Sequence, residues 1–313
     1  MLTCNWLFYA HFYALMLELK KVMERMADLT ATEKEQKHFS GKHNDKVRGH
    51  AWSAIPYFAK RLRERLDIFS EAAEMLTGRK VVRALTMACG DMKGEYAGFK
   101  KLHATSIDAF DISEGQRKRC YEKVYDGGIP LNYEIADVNT IRLERRRYDI
   151  VYMQQSLHHI TNVEHVLSEI CASLKDDGLF LLNDYVGEPF LQRGPKQREL
   201  CGRIWSTLPA RLRTGPDGTV YEQLFIPRKE ALSPFEAIRS DAIVPALETT
   251  FEIYKQTTFA GILFPIFNNF AQCYSDSEHD LTLIKLMYEL DEVLVENGTV
   301  EPSFIRGIYR RKQ

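Results

Sequence analysis

The spacing of apolar positions divides the chain into stretches of different character. From Met1 to Leu17 it is rich in Leu, Phe, Tyr and Trp, and the apolar series continues through Leu19, Val22, Met23 and Met26 between charged residues. That spacing predicts an amphipathic helix. No basic start precedes the run and no small-residue cleavage site follows it, so it does not read as a signal peptide. Asn5 and His11 interrupt it, and it is short of the roughly 20 residues that span a bilayer. Its aromatic face would pack on the domain, on a second subunit or at a membrane surface. Packing on protein is the expectation, and a homo-oligomer through this helix is one form of it. Residues 29 to 50 are mostly polar and predict a solvated loop. His38, His43 and His50 lie within it, at spacings that do not share a helical face. A helix rich in Arg and Glu is predicted from about Lys60 to Leu76, with Gly78 ending it.

Then short apolar runs begin to alternate with helical patterns. Strands are predicted over Val81 to Met87, Thr105 to Phe110, Leu131 to Ile135, Tyr148 to Met153 and Leu179 to Asn183. Helices are predicted between them over Tyr96 to Leu102, Glu114 to Tyr125 and Val163 to Leu174. Continuous apolar strands alternating with helices imply a parallel sheet covered on both faces. Right-handed crossovers make that sheet doubly wound. After Asp184 the alternation stops until Phe251. This stretch predicts a helix near Lys196 to Thr207, a turn over Gly215 to Gly218, and a helix starting near Ser233, where Ser-Pro-Phe-Glu resembles a cap with Pro at the first helical position. A strand over Phe251 to Phe259, a helix over Asp280 to Glu296 and a strand over Phe304 to Arg310 complete the α/β fold. The expected organisation is an N-terminal helical extension and cap over residues 1–76, and an α/β domain over 77–313 with an insertion at about 186–250.

Composition narrows the function classes. Hydrophobic residues make up 45% and charged residues 27% of the 313, which excludes disordered, collagen-like and coiled-coil chains. Lys and Arg (42) nearly cancel Asp and Glu (43), so no overall charge favours nucleic acid or an anionic membrane. The six cysteines form no C-x-x-C pair, and reduced thiols in a cytoplasmic protein are expected.

Candidate chemistry gathers at the ends of the predicted strands, where open α/β sheets bind ligands. Ala88-Cys89-Gly90 forms a turn of small residues between a strand and a helix, which permits close approach of a ligand to the backbone. Asp111 follows Gly90 at the end of the next strand, placed to accept hydrogen bonds from ribose hydroxyls, while Ser113 is free to cap the following helix. Asp137, in Ala-Asp-Val138, can accept from an exocyclic amine. The fourth strand ends in Tyr-Met153-Gln154-Gln155-Ser-Leu-His158-His159-Ile, and a histidine of ordinary pKa there can take a proton from a hydroxyl.

In this order, the small-Cys-Gly turn, Asp-Ile-Ser, Ala-Asp, Tyr-Asp-Ile-Val, Leu-His-His-Ile and Leu-Lys-x-x-Gly resemble class I S-adenosylmethionine-dependent methyltransferases over about Val81 to Tyr185. The resemblance implies a Rossmann-like, seven-stranded sheet whose last strand inserts antiparallel. It implies S-adenosyl-L-methionine as cofactor. Ala88, Cys89 and Gly90 would line its methionine part, Asp111 would take the ribose with Ile112 beside the adenine, and Asp137 and Val138 would hold the adenine edge. Met153 and Gln154 would flank the sulfur. His158, His159 and Asp184 are the candidate bases, with Tyr185 pointing into the same cleft. Thr86 departs from the family's usual acid, and Ala88 and Met92 from its usual glycines.

A metal is not expected, because Gln154 and Gln155 supply no acid at the strand end. The expected reaction is O-methylation of a small polar acceptor, such as a sugar or phosphorylated metabolite. N- or C-methylation of a small molecule, or a non-catalytic cofactor-binding subunit of a heteromeric enzyme, are the alternatives. A nicotinamide-dependent oxidoreductase would need Gly-x-Gly-x-x-Gly, which Ala-Cys-Gly-Asp-Met-Lys does not supply. The partner expected is a small-molecule substrate, with no nucleic acid and no integral membrane span. Residues from about Val186 to Ser233, with the region around Trp52, are expected to cover the cleft as a lid.

Overall fold

Seven apolar runs become strands: β1 (Arg83–Met87), β2 (Ser106–Asp111), β3 (Leu131–Ile135), β4 (Tyr148–Gln154), β5 (Leu174–Tyr185), β6 (Phe251–Phe259) and β7 (Phe304–Arg311). The computed structural model describes residues 30–40, 55–215, 218–268 and 270–312. The strands form one sheet in the order β3-β2-β1-β4-β5-β7-β6. β1 to β5 run parallel, and β7 inserts between β5 and β6 antiparallel to both. This is the doubly wound sheet expected from the alternation of strands and helices.

Helices cover both faces. On one side α3 (Ile68–Met75) and α4 (Lys93–Lys101) pack Ile68, Ala72, Tyr96 and Phe99 against Ile150 and Tyr152 of β4. On the other, α6 (Val163–Ser173) and α8 (Ile243–Thr250) pack Val166, Ile170 and Leu247 against Val151 and Met153. Neighbouring residues of a strand point to opposite faces, so β4 serves two cores at once. A third apolar cluster joins α2 (Pro56–Arg65), α7 (Pro195–Thr207), α9 (Leu263–Phe267) and α10 (Glu278–Glu296) around Phe58, Trp205, Phe267 and Tyr288.

Local chemistry moves several predicted boundaries. The polar stretch read as a loop contains a helix, α1 (Ala31–Ser40). Thr30 and Glu33 form a capping box at its start: the Glu33 amide donates to Thr30 Oγ1, and the Thr30 amide donates to Glu33 Oε2. The helix predicted over about Lys60 to Leu76 breaks into α2 and α3, because the Asp67 carboxylate caps the amides of Phe69 and Ser70. The helix predicted from Ser233 does not form. Residues 234–239 are turns, and the Phe235 amide donates to Glu35 of α1 instead of entering a helix. α5 (Glu114–Arg119) is capped by Ser113, as predicted, and continues as a π-turn over Cys120–Val124.

The predicted N-terminal amphipathic helix and Trp52 lie outside the described residues, as do Cys4, His43 and His50. Cys89, Cys120, Cys171, Cys201 and Cys273 carry free thiols. Among the described residues, no helix is long and apolar enough to cross a membrane.

Candidate active site

A cavity of about 1000 Å³ opens at the carboxyl ends of the parallel strands. Its first wall is the turn after β1. Ala88, Gly90 and Met92 all have left-handed backbone, with φ of 48°, 53° and 62°. Two of these positions carry side chains where glycine is the easy residue, at a cost of about 1–2 kcal/mol each. The departures from the family pattern are therefore changes of side chain that keep a glycine-type backbone. Thr86, the other departure, is fully buried, and its hydroxyl has no hydrogen-bond partner.

Asp111 holds this turn to the next strand end. One carboxylate oxygen accepts from the Gly90 amide at 2.9 Å and the other from the Ser113 amide at 2.8 Å. Burial pushes the Asp111 pKa up, against the pull of those amides. Each oxygen keeps a lone pair for a ligand hydroxyl. The Tyr133 hydroxyl donates to the Gly90 carbonyl at 2.6 Å and braces the turn from β3. Asp137 caps a short 3₁₀ turn by accepting from the Asn139 amide, and Asn139 Oδ1 in turn accepts from the amides of Thr161 and Asn162. Ala88, Cys89, Gly90, Asp111, Ile112, Asp137 and Val138 all line the cavity, together with Gln154.

Four of the sequence-predicted residues do not. Met153 is fully buried in the core beneath α6, because strand alternation turns it away from the face that carries Tyr152 and Gln154. The Tyr152 hydroxyl donates to Gln154 Oε1 and orients that amide. Asp184 is completely buried and does not reach the cleft as a base. Its carboxylate accepts from the amides of Ser156, Leu157, His158 and Tyr185 and bonds His158 Nδ1 at 2.5 Å. Burial opposes its charge, but His158 and the amides outweigh that and hold its pKa below the ordinary carboxylate value. His158 is accordingly locked behind the cavity wall. Tyr185 also points away from the cavity, where its hydroxyl donates to the Glu188 carbonyl and accepts from Arg193.

His159 does line the cavity. Its Nδ1 lies 3.1 Å from Glu35 Oε1, and Glu35 is fixed by the Ser233 hydroxyl and the Phe235 amide. A carboxylate only accepts, so in the neutral ring Nδ1 carries the proton and Nε2 the lone pair. Burial lowers the His159 pKa, but the Glu35 hydrogen bond and the charges of Glu236, Glu35 and Asp184 raise it further, so the net shift is upward.

α1, not the stretch from Val186 to Ser233, roofs this end. Thr32, Glu35 and Phe39 line the cavity with Phe235, whereas no described residue from Val186 to Ser233 does. Gln36 anchors α1 by donating to the Ile112 carbonyl at 2.8 Å.

Four other residues escaped the sequence reading. Glu95 lines the cavity from α4, and burial pushes its pKa up to about 8. Glu35 had a signal in the Thr-x-x-Glu box that starts its helix. Glu236 brings a carboxylate oxygen to 3.6 Å from His158 Nε2 and another to 3.9 Å from His159 Nε2. These three residues form a group whose donor atoms lie within 4.8 Å of one another, a spacing able to hold a metal ion. Arg306 lines the far end of the cavity from β7. Glu236 and Arg306 had no local signal, since both reach the site only through tertiary packing.

Residues 85–182 match the model of a methyltransferase domain. The 27-O-demethylrifamycin SV methyltransferase of Amycolatopsis mediterranei is 28% identical over 120 residues, 37% of this chain. The chain spans 43% of the length of that curated relative. Among solved structures, an S-adenosylmethionine-dependent methyltransferase of Mesorhizobium loti is 17% identical with a TM-score of 0.45, covering 77% of this chain and 96% of its own. The [4+2]-cyclase SpnF is 14% identical with a TM-score of 0.46, covering 82% of this chain and 81% of its own. Residues 85–182 are thus a methyltransferase domain, similar to the class I S-adenosylmethionine-dependent methyltransferases, and that likeness implies S-adenosyl-L-methionine as the cofactor.

Proposed function

We propose that the chain methylates a hydroxyl of a small polar acceptor, such as a sugar or phosphorylated metabolite, with His159 as the base. The observation that carries this reading is the Glu35–His159 pair. Glu35 holds Nδ1–H, which leaves the lone pair on Nε2 of a ring that lines the cavity. The cofactor-binding residues would be Ala88, Cys89 and Gly90 toward the methionine part, Asp111 on the ribose, Ile112, Asp137 and Val138 around the adenine, and Gln154 near the sulfur. The cavity's size, toward the upper end for small-molecule sites, leaves room for both cofactor and acceptor. When bound, S-adenosylmethionine supplies an electrophilic methyl group. The protein then aligns the acceptor and removes its proton at His159 Nε2. His158 and Asp184 position the turn that carries His159. The small-molecule acceptor, the cytoplasmic setting and the division into a helical extension (1–76) and a catalytic domain (77–313) belong to the same proposal.

His159→Ala should lower the methyl-transfer rate by about 10² or more with cofactor affinity nearly unchanged. A base works unprotonated, so the wild-type rate should climb as pH rises through the elevated His159 pKa, above the usual 6.5. If His159→Ala retains a near-normal rate and cofactor affinity, the hydroxyl reading loses its base and amine transfer replaces it. Chelator treatment should leave the rate unchanged. A loss restored by a divalent ion would instead make His158, His159 and Glu236 metal ligands.

A further inference from the structure

The cavity runs past Gln154 toward the antiparallel edge of the sheet, where its floor follows one register row. Gln154 of β4 lies opposite Asn183 of β5, Asn183 opposite Arg306 of β7, and Arg306 opposite Thr257 of β6. Opposed residues share a face of the sheet, and Gln154, Asn183 and Arg306 all line the cavity. The rows on either side are largely apolar, with Leu181 and Ile308 in one and Phe304 and Phe259 in the other. The sheet thus carries a polar stripe that packing alone does not call for.

Arg306 is 8% exposed, and its Nε has no hydrogen-bond partner. Asn183 Oδ1, its cross-strand neighbour, is likewise buried without one. Asp67 attracts Arg306, but its oxygens already serve the Phe69 and Ser70 amides and the Ser70 hydroxyl. Arg63 adds a second positive charge at the same end of the cavity. Burial accordingly pulls the Arg306 pKa below that of an ordinary guanidinium. A charge held out of water is costly unless something answers it.

We propose that Arg306 and Asn183 form an anion subsite for the methyl acceptor. Arg306 takes a carboxylate or phosphate group, Arg63 stands at its mouth, and a neighbouring hydroxyl or N–H of the acceptor donates to Asn183 Oδ1. The subsite rests on reading this cavity as the methyl-transfer site. Phe69, Phe259 and Phe304 line the same end, and their low polarity strengthens the attraction.

The test is calorimetric titration of the full chain, saturated with S-adenosylhomocysteine, by glycerol, glycerate and glycerol 3-phosphate. These probes share hydroxyls and differ in charge. One of the two anions should bind at least roughly tenfold more tightly than glycerol, as expected for a charge-assisted hydrogen bond. Which anion does so separates a carboxylate from a phosphate acceptor. Arg306→Gln should erase the preference, Arg306→Lys should keep part of it, and neither should change S-adenosylhomocysteine affinity. Arg63→Ala, at an exposed position, should weaken anion binding in a folded protein even if the Arg306 variants unfold. Equal binding of the three probes to the wild type, or an unchanged preference in Arg306→Gln, overturns the subsite. Protein that binds S-adenosylhomocysteine but shows no anion preference overturns only the subsite. A chain that does not bind S-adenosylhomocysteine but prefers the anions when titrated without it overturns only the cofactor reading.

Discussion

The two ends of the cavity are built by different means. At the β1–β3 end, the floor is made by short turns that follow strands in sequence. Asp111 reaches back to Gly90, and Ser113 caps the helix that begins beside it. At the β5–β7 end, the floor is a row of side chains from strands far apart in the chain, Gln154, Asn183 and Arg306. The first end depends on backbone conformation and tolerates changes of side chain, as Ala88 and Met92 show. The second depends on which side chains the sheet register brings together, so substitutions of Asn183 or Arg306 should change specificity and leave the cofactor end intact.

Three experiments would sharpen or break that contrast. The largest effect is expected at Asp184, on the strand that joins the two ends. Asp184→Ala strands four buried amides and the His158 ring, and should cost about 3 kcal/mol or more of stability in urea unfolding. The wild-type carboxylate has a depressed folded pKa, so its contribution is present above the unfolded value near 3.8 and is lost as pH falls through the folded one. A stable Asp184→Ala protein that loses only rate would return Asp184 to the catalytic machinery. Next is Asp111→Ala, which removes a charged acceptor contributing roughly 1.5–3 kcal/mol and should weaken S-adenosylhomocysteine about tenfold by calorimetry. Unchanged affinity would remove Asp111 from the ribose site. The smallest is Ala88→Gly. Relief of left-handed strain is partly offset by the freer unfolded chain, so stability should change by less than about 1 kcal/mol. A large loss there would mean that the Ala88 methyl group itself packs in the site.

Most of the sheet was legible because strand and helix periods are local properties. β3 and β6 match their predicted limits, and β7 extends its prediction by one residue. The misreadings have physical causes. The family resemblance puts Met153 at the sulfur, but alternation along β4 sends it to the opposite core. Asp184 looked like a base because strand-end acids line such clefts; in the fold its carboxylate instead satisfies the amides of the turn after β4. α1 was missed because its sequence is polar nearly throughout, and its one buried acid, Glu35, has meaning only against His159 and Phe235.

By itself the sequence determined the doubly wound sheet, the small-residue turn and the acid that follows it. Hydrophobic period and turn chemistry act between residues a few positions apart, and these features need nothing more. Only the tertiary structure decided which histidine faces the cavity, what roofs it, and that a buried arginine lies at its far end. Those outcomes depend on contacts between distant segments: Glu35 with His159, and Asn183 with Arg306. The free energy of burying a charged group depends on all its neighbours at once, and those neighbours exist only after the chain has folded.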